Sequence, residues 1–197
     1  MQLTDLQTDA LTEVINIGHG RAAAALSEMT GYRVLLSVPS VSVVPLVEVG
    51  RSLRNSLGEN VVCVTQTFSG VLAGNAMLLV NGEAGEVLAG LLDSSRRGED
   101  SVTSGEILAE TGNVLLNACL GAFGNLLEIQ ISFTVPTLAV DSVPGIMRSI
   151  NIQGAQLSHA VIAQTQFRIA NSQVSGVLMI IVGLTSLECV LRALEQW

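Results

Sequence analysis

The sequence predicts an α+β fold: one domain with internal duplication and pseudo-two-fold symmetry, made of a mainly antiparallel sheet and two long helices. Three observations predict it: a repeat at a fixed offset, helical periodicity at the start of each half, and paired apolar runs later in each half. The chain has 197 residues, which fits a single domain of ordinary size. We therefore expect one domain over 1–197, with halves 1–97 and 98–197 joined through the polar, turn-rich segment 93–101.

The internal repeat is clearest between DALTEVIN at 9–16 and EILAETGN at 106–113. At an offset of 97, three residue types coincide: a glutamate, an asparagine and a proline. In both copies, 22 residues lie between the asparagine and the proline. The pairs are Glu13 with Glu110, Asn16 with Asn113, and Pro39 with Pro136. The coincidence of all three at one register favours duplication of an ancestral half.

Each half is predicted to run helix, strand, short helical piece, hairpin of two strands, and closing helix. Apolar residues follow a 3.6-residue period at the start of each half, which indicates two long amphipathic helices. Gly31 is placed to end the first helix, and Thr103 with Glu106 resembles a capping box that begins the second. The other predicted elements are 32–38, 45–56, 60–68, 72–80 and 82–93 in the first half, and 129–135, 143–151, 159–168, 174–183 and 185–195 in the second.

Composition excludes several classes of function. The chain is 49% hydrophobic and 13% charged, enough for a sizeable core, and its net charge of −8 argues against binding to nucleic acid. The apolar core VLMIIV within 169–187 is much shorter than the roughly 20 residues of a spanning helix, so it predicts a buried strand and no membrane insertion. The start, MQLTDLQTD, has neither the basic region nor the apolar run of a signal peptide. We therefore expect a cytoplasmic protein.

The three cysteines, Cys63, Cys119 and Cys189, are an odd number and lie in apolar contexts. This pattern predicts buried free thiols in a reducing compartment. No pair of cysteines or histidines has the spacing of metal ligands, so we expect no metal site.

The repeated glutamates and asparagines are the candidate functional residues, because residues three apart lie on one face of a helix. A carboxylate can hold a cation or accept a proton, and an amide can position a water molecule through hydrogen bonds. The alternative is an ordinary solvated helix face, which the second copy at the same offset disfavours. An acidic residue precedes each pair by about one turn, so the predicted clusters are Asp9, Glu13 and Asn16, and Glu106, Glu110 and Asn113.

Gly18 and Gly20 interrupt the first helix directly after its motif. They do not form a phosphate cradle, because they lie mid-helix rather than at a helix N-terminus that follows a strand. Glycine at each position costs about 1 kcal/mol of helix propensity, and it allows another surface to approach the backbone closely. We therefore predict an exposed docking surface at both glycines.

A doubled Glu-x-x-Asn, each copy preceded by an acid and followed by a distant proline, resembles the CheC-type phosphatases of chemotaxis, which are related to CheX and FliY. INIGHGRAAAALS is similar to that family's first helix and ETGNVLLNACLGAF to its second, and the resemblance spans essentially the whole chain. It implies hydrolysis of the aspartyl phosphate of the response regulator CheY. Glu13 and Glu110 would pair with a lysine of the regulator, and Asn16 and Asn113 would orient the attacking water. The resemblance also implies no cofactor of the chain's own, with Mg²⁺ supplied by the bound regulator.

The resemblance also concerns partners. It implies contacts to the regulator from Asp9, Glu106, Gly18 and Gly20, and binding of CheD near residues 143–152. His19, Arg21 and Glu106 depart from the family's pattern, so a non-catalytic adaptor or sensor that binds CheD or a response regulator stays open as the alternative. A structural role in a flagellar switch is a third possibility. Because two halves in one chain supply the symmetry, we expect a monomer.

Overall fold

The computed structural model describes residues 3–93, 103–150, 157–169 and 172–194. Within these ranges the chain forms six helices and seven strands, in the predicted order except that a second strand, β5, follows β4 in the second half. They are α1 Asp5–Thr30, β1 Val34–Pro45, α2 Leu46–Leu57, β2 Asn60–Gly70, β3 Gly74–Asn81, α3 Gly82–Asp93, α4 Ser104–Leu126, β4 Ile131–Phe133, β5 Thr137–Ser142, α5 Val143–Ser149, β6 Leu157–Ile169, β7 Ser172–Gly183 and α6 Leu184–Leu194.

All strand pairs are antiparallel, and the sheet order is β1-β6-β7-β3-β2-β4, with β5 also paired to β2. The first half's edge strand β1 pairs with the second half's β6, and the second half's β4 and β5 pair with the first half's β2. The halves therefore interlock around the central β3–β7 pair, which confirms the predicted fold class. The boundary between 97 and 98 lies outside the described residues.

The repeated prolines mark corresponding breaks in the two edge strands. In β1 the register with β6 shifts between Ser37 and Ser40, around Pro39. Pro136 falls in the gap between β4 and β5. Proline has no backbone N–H to donate to a ladder, so it is tolerated at edge strands and irregularities. The predicted strand 129–135 is accordingly only β4, and the sequence prediction did not include β5.

Helices cover both faces of the sheet. The long helices α1 and α4, with α3 and α6, pack on one face over the larger core. The shorter helices α2 and α5 cover the opposite face, where a second core forms. Its buried residues are Val49, Leu53, Leu57, Val61, Cys63, Met77, Leu79, Val143, Ile146, Ile150, Ala160, Ile162, Val177, Met179 and Ile181. The central strands β3 and β7 are buried along most of their length, as expected for strands covered on both faces. The edge strands β4 and β5 are largely exposed.

The two long helices begin and end as local sequence predicts. Gly31 follows α1 in the left-handed conformation with φ of 70°, and its N–H donates to the carbonyl of Ser27. Thr103 and Glu106 form the predicted capping box of α4. Of the helices in the described ranges, α4 alone is long and apolar enough to cross a membrane by length and composition, but 61% of the relevant segment is buried inside the protein. This burial indicates a core helix.

Candidate functional site

The first candidate surface lies on α1 and consists of Asp9, Glu13, Asn16 and Gly20, all of which are exposed. Helical geometry places these four residues within one narrow stripe, because their spacings are three and four. The opposite side of α1 is buried, with Leu11 and Ile15 fully inside the core. Across the described residues, no hydrogen bond or ion pair engages the side chains of Asp9, Glu13 and Asn16, so Glu13 and Asn16 are available to a partner.

Gly18 points away from this stripe, and the prediction that it is exposed is wrong. It is buried where α1 crosses α4, and a Cβ placed there would lie 2.6 Å from the Cα of Cys119. The glycine thus permits two helix backbones of the same protein to meet closely. Gly20, in contrast, is exposed, and beyond its chain neighbours and its own helix backbone no described atom lies within 4 Å of such a Cβ, so its predicted exposure is confirmed.

His19 is only 1% exposed and anchors α1 to the sheet. Its Nδ1 lies 3.0 Å from the carbonyl oxygen of Ile15, which can only accept, so Nδ1 carries the proton. Its Nε2 lies 3.1 Å from Oγ1 of Thr165 in β6 and accepts from that hydroxyl. Burial lowers the pKa of His19 to about 4, so the ring is neutral at pH 7. The ring therefore has no part in the exposed stripe.

The second candidate surface lies on α4, where Glu106 and Glu110 are exposed and Asn113 is half-buried. Glu106 caps the helix: its Oε2 accepts from the Thr103 N–H and from the Thr103 hydroxyl, both at 2.8 Å. These hydrogen bonds lower the pKa of Glu106. Its carboxylate is therefore already engaged within its own helix end, and its predicted contact to a partner stays a prediction.

Asn113 is held by two other amides that the sequence analysis did not single out. Its Oδ1 accepts from Nε2 of Gln66 at 3.3 Å and from Nδ2 of Asn117 at 2.9 Å. The Gln66 nitrogen also donates to the carbonyl of Thr134 at 2.9 Å. Only Asn117, one helical turn after Asn113, could have been found from local spacing; Gln66 reaches the site from β2.

The repeat explains why the first surface lacks these partners. At the offset of 97, Asn117 corresponds to Gly20, which has no side chain. Gln66 lies two residues before Phe68, and Thr165 lies two residues before the corresponding Phe167. Thr165 has a shorter side chain than Gln66 and hydrogen-bonds to His19, so it makes no hydrogen bond to Asn16. The two surfaces therefore share their Glu–Asn pair and differ in what surrounds it.

The two surfaces lie toward opposite ends of an antiparallel helix pair. Residues late in α1 lie beside residues early in α4, around one cavity lined by Leu26, Met29, Thr30, Leu92, Ile107, Glu110 and Thr111. Residues in the middle of α1 lie beside the end of α4, around a groove lined by Val14, Ile17, Arg21, Ala122, Asn125 and Leu126. Arg21, one of the departures from the family's pattern, thus flanks the first surface.

Neither surface contains a strong nucleophile or a metal cluster. In the described ranges, no group of three or more His, Cys, Asp or Glu side chains is placed to hold a metal ion. Cys63 and Cys119 are buried free thiols, as predicted, and burial raises the pKa of both. Cys189 is exposed, so its predicted burial is wrong; it falls outside the apolar stripe of α6. Each surface therefore provides a carboxylate, which can attract cations, and an amide, which can orient small polar molecules.

Comparison with known proteins finds this chain similar to the CheC-like family. The model of the CheC-like family matches residues 6–43, which include the first surface. The chain is 27% identical over 169 residues to the CheY-P phosphatase CheC of Bacillus subtilis, covering 81% of this chain and 78% of that protein. These matches confirm the predicted resemblance to the CheC-like family.

Solved structures show the same fold. Thermotoga maritima FliY superposes with a TM-score of 0.77 at 17% identity, covering 100% of this chain and 99% of that one. The FliM middle domain of H. pylori superposes with a TM-score of 0.68 at 12% identity, covering 97% and 99%. At these identities the likeness concerns the fold alone.

Proposed function

From the resemblance to the CheC-like family, we propose that the protein is a phosphatase that hydrolyses the aspartyl phosphate of a CheY-type response regulator in chemotaxis. The observation that carries the proposal is the exposed Glu13–Asn16 pair on a helix that the family model covers. The CheY-P phosphatase among its relatives supplies the reaction. A second Glu–Asn pair, Glu110 and Asn113, lies on the corresponding helix α4 of the other half and supports the proposal further.

In the proposed reaction, the exposed carboxylate pairs with a lysine of the regulator, and this contact holds the complex in register. The neighbouring asparagine enters the regulator's site and accepts a hydrogen bond from a water molecule. The water oxygen attacks phosphorus in line with the aspartyl oxygen, and a P–O bond to water forms as the P–O bond to aspartate breaks. Inorganic phosphate keeps the two protons of the water and departs, and the regulator's aspartate is left as a carboxylate. Positioning supplies most of the rate, because phosphoryl transfer needs little covalent help. The regulator brings its own Mg²⁺ as part of the substrate.

The partner assignments belong to the same proposal. We expect a cytoplasmic protein that acts as a monomer on phosphorylated regulator, with CheD as a second partner near α5. Asp9 and Gly20, which lie in the exposed stripe with Glu13 and Asn16, would contact the regulator. Gly18 is buried and takes no part in that contact.

A non-catalytic adaptor is the second candidate, because the fold is shared with a FliM middle domain and because Asn113 is engaged internally. An adaptor would bind the regulator or CheD without accelerating loss of phosphate. A role within a flagellar switch would instead require binding to switch components. Turnover measurements separate these candidates from the phosphatase.

Replacing both asparagines by alanine is expected to lower turnover of the phosphorylated, Mg²⁺-bound regulator by about 100-fold, because water is no longer positioned. Binding of the regulator should largely survive, since the glutamates remain. Phosphate release and regulator affinity are measured for wild type, for Asn16→Ala with Asn113→Ala, and for Asn55→Ala, an exposed asparagine of α2 on the opposite face of the sheet. Unchanged turnover in the double variant would contradict the role of the asparagines in positioning water. A wild-type protein without turnover would favour the adaptor.

Replacing Glu13 and Glu110 by glutamine is expected to raise KM roughly 10-fold with little change in kcat, because an ion pair that holds the complex is lost. The effect should shrink at high salt, where the charges are screened. Glu48→Gln removes the same charge from the opposite face of the sheet and serves as the matched control. A fall in kcat at unchanged KM would show that the carboxylates act in the chemical step instead.

A further inference from the structure

The orientation of the Asn113 amide is fixed by a chain of hydrogen bonds that starts at a backbone carbonyl. The carbonyl of Thr134 can only accept, so the amide that meets it at 2.9 Å must present its nitrogen, Nε2 of Gln66. The second hydrogen of that nitrogen points to Asn113, 3.3 Å away. Asn113 must therefore present oxygen inward, because nitrogen would place two donors face to face.

Asn117 completes the arrangement by donating to the same oxygen at 2.9 Å. Both acceptor positions of Asn113 Oδ1 are then occupied, and only its Nδ2 hydrogens are left for a partner. The orientation leaves two buried oxygens, Gln66 Oε1 and Asn117 Oδ1, without a partner among the described residues. Because a buried unpaired oxygen is costly, the Thr134 carbonyl must be what holds the amides this way round.

Asn16 is under no such constraint. It is exposed, and its side chain makes no hydrogen bond within the described parts of the chain, so its oxygen is free to accept from water. A water that donates to an acceptor keeps its lone pairs free for attack, whereas a water held by an N–H donor has one lone pair engaged. An asparagine that offers oxygen is therefore the better guide for a nucleophilic water.

We propose that Gln66 and Asn117 are positioning residues that turn Asn113 into a hydrogen-bond donor, so that the surface on α1 carries turnover and the surface on α4 chiefly binds the phosphorylated regulator. The inference rests on the proposed phosphatase function. The Asn113 amide, which presents N–H donors outward, suits a phosphoryl oxygen, because that oxygen accepts hydrogen bonds. The two halves have thus diverged at two pairs of corresponding positions: the α4 surface has Asn117 where the α1 surface has Gly20, and it has Gln66 where the α1 surface has Thr165.

The orientation is tested first without any measurement of activity. Aspartate at position 113 keeps an accepting oxygen, so in Asn113→Asp the side-chain amide protons of Gln66 and Asn117 should exchange with solvent within about 2-fold of the wild-type rates. In Asn113→Ala the protons that Gln66 and Asn117 donate to Asn113 lose their acceptor, and their exchange should accelerate about 10-fold. The readout is NMR of ¹⁵N-labelled protein. Loss of protection in the aspartate variant, or full protection in the alanine variant, would overturn the orientation.

The division of labour is tested by turnover of phosphorylated, Mg²⁺-bound regulator. Asn16→Ala should lower kcat about 100-fold, and Asn113→Ala should lower kcat less than about 3-fold. In the Asn16→Ala background, Gln66→Thr with Asn117→Ala frees the Asn113 oxygen and should raise kcat at least about 10-fold. Equal or larger kcat loss in Asn113→Ala would overturn the proposal, as would no gain in a folded triple variant; should that variant not fold, the two single variants decide.

Failure of the inference differs from failure of the function beneath it. If the wild type does not accelerate phosphate loss, the proposed phosphatase function is wrong. The NMR exchange rates then still test the orientation of the Asn113 amide. Turnover carried equally by both surfaces would keep the phosphatase and reject the proposed division.

Discussion

Alanine at position 18 is expected to destabilise the protein by about 2 kcal/mol, because its Cβ has no room between α1 and α4. The Cβ would lie 2.6 Å from the Cα of Cys119 and 3.1 Å from its backbone nitrogen. Backbone atoms cannot rotate aside, so the two helices must move apart and loosen the core around them. The gain in helix propensity, about 1 kcal/mol, only partly offsets this cost.

Gly20→Ala is the matched control for this prediction, since it makes the same substitution two residues later in the same helix. A Cβ at position 20 meets no described atom of another element within 4 Å, so only the gain in helix propensity remains, and stability should rise by up to about 1 kcal/mol. Thermal and denaturant unfolding measure both variants. Shifts of the same sign would contradict the assigned positions of the two glycines.

Acidification from pH 7 to pH 4 is expected to remove about 3 kcal/mol of stability through His19 alone. The folded pKa is about 4, below the unfolded value of 6.5, so the unfolded chain binds the additional proton between these values. The stability is fully present above pH 6.5 and is lost as pH falls toward 4. Burial is the dominant cause, since a charged ring in the core would lose its hydration.

His19→Leu isolates this contribution from those of other titrating groups. Leucine occupies the corresponding position of α4, where Leu116 is fully buried, so the fold already accommodates it in this setting. The difference in unfolding free energy between wild type and His19→Leu should fall by about 3 kcal/mol between pH 7 and pH 4. A difference that does not change with pH would show that the ring titrates normally and is reached by water.

Local sequence was sufficient for the helices, for every described strand except β5 and for the residues that share a helix face. Periodicity, the capping box at Thr103 and the glycine at position 31 each report on interactions within about one helical turn, and all three were confirmed. The grouping of Glu13 with Asn16 follows from the same short-range geometry. The repeated proline also came from sequence alone, although only the sheet showed that it breaks an edge strand.

The residues that Gly18 and His19 of α1 contact were decided by tertiary packing. A glycine pair in a helix has the same local pattern whether it meets a partner protein or another helix of its own chain. Gly18 met Cys119, 101 positions further along the sequence, and His19 met Thr165. The helical period places Gly18 on the buried face of α1 with Ile15 and Gly20 on the exposed face with Asn16, but it does not name the residues that they meet. The predicted docking surface was therefore wrong at Gly18 and confirmed in exposure at Gly20.

The sequence by itself determined that this chain carries two copies of one Glu–Asn motif on two long helices, because an offset and a helical period are visible in one dimension. Only the tertiary structure decided that the copies differ. The exchange of edge strands brings Thr134 beside β2, and Gln66 of β2 then reaches Asn113 on α4. The contact joins residues 47 positions apart through hydrogen bonds whose direction a backbone carbonyl sets, and no spacing rule encodes that direction.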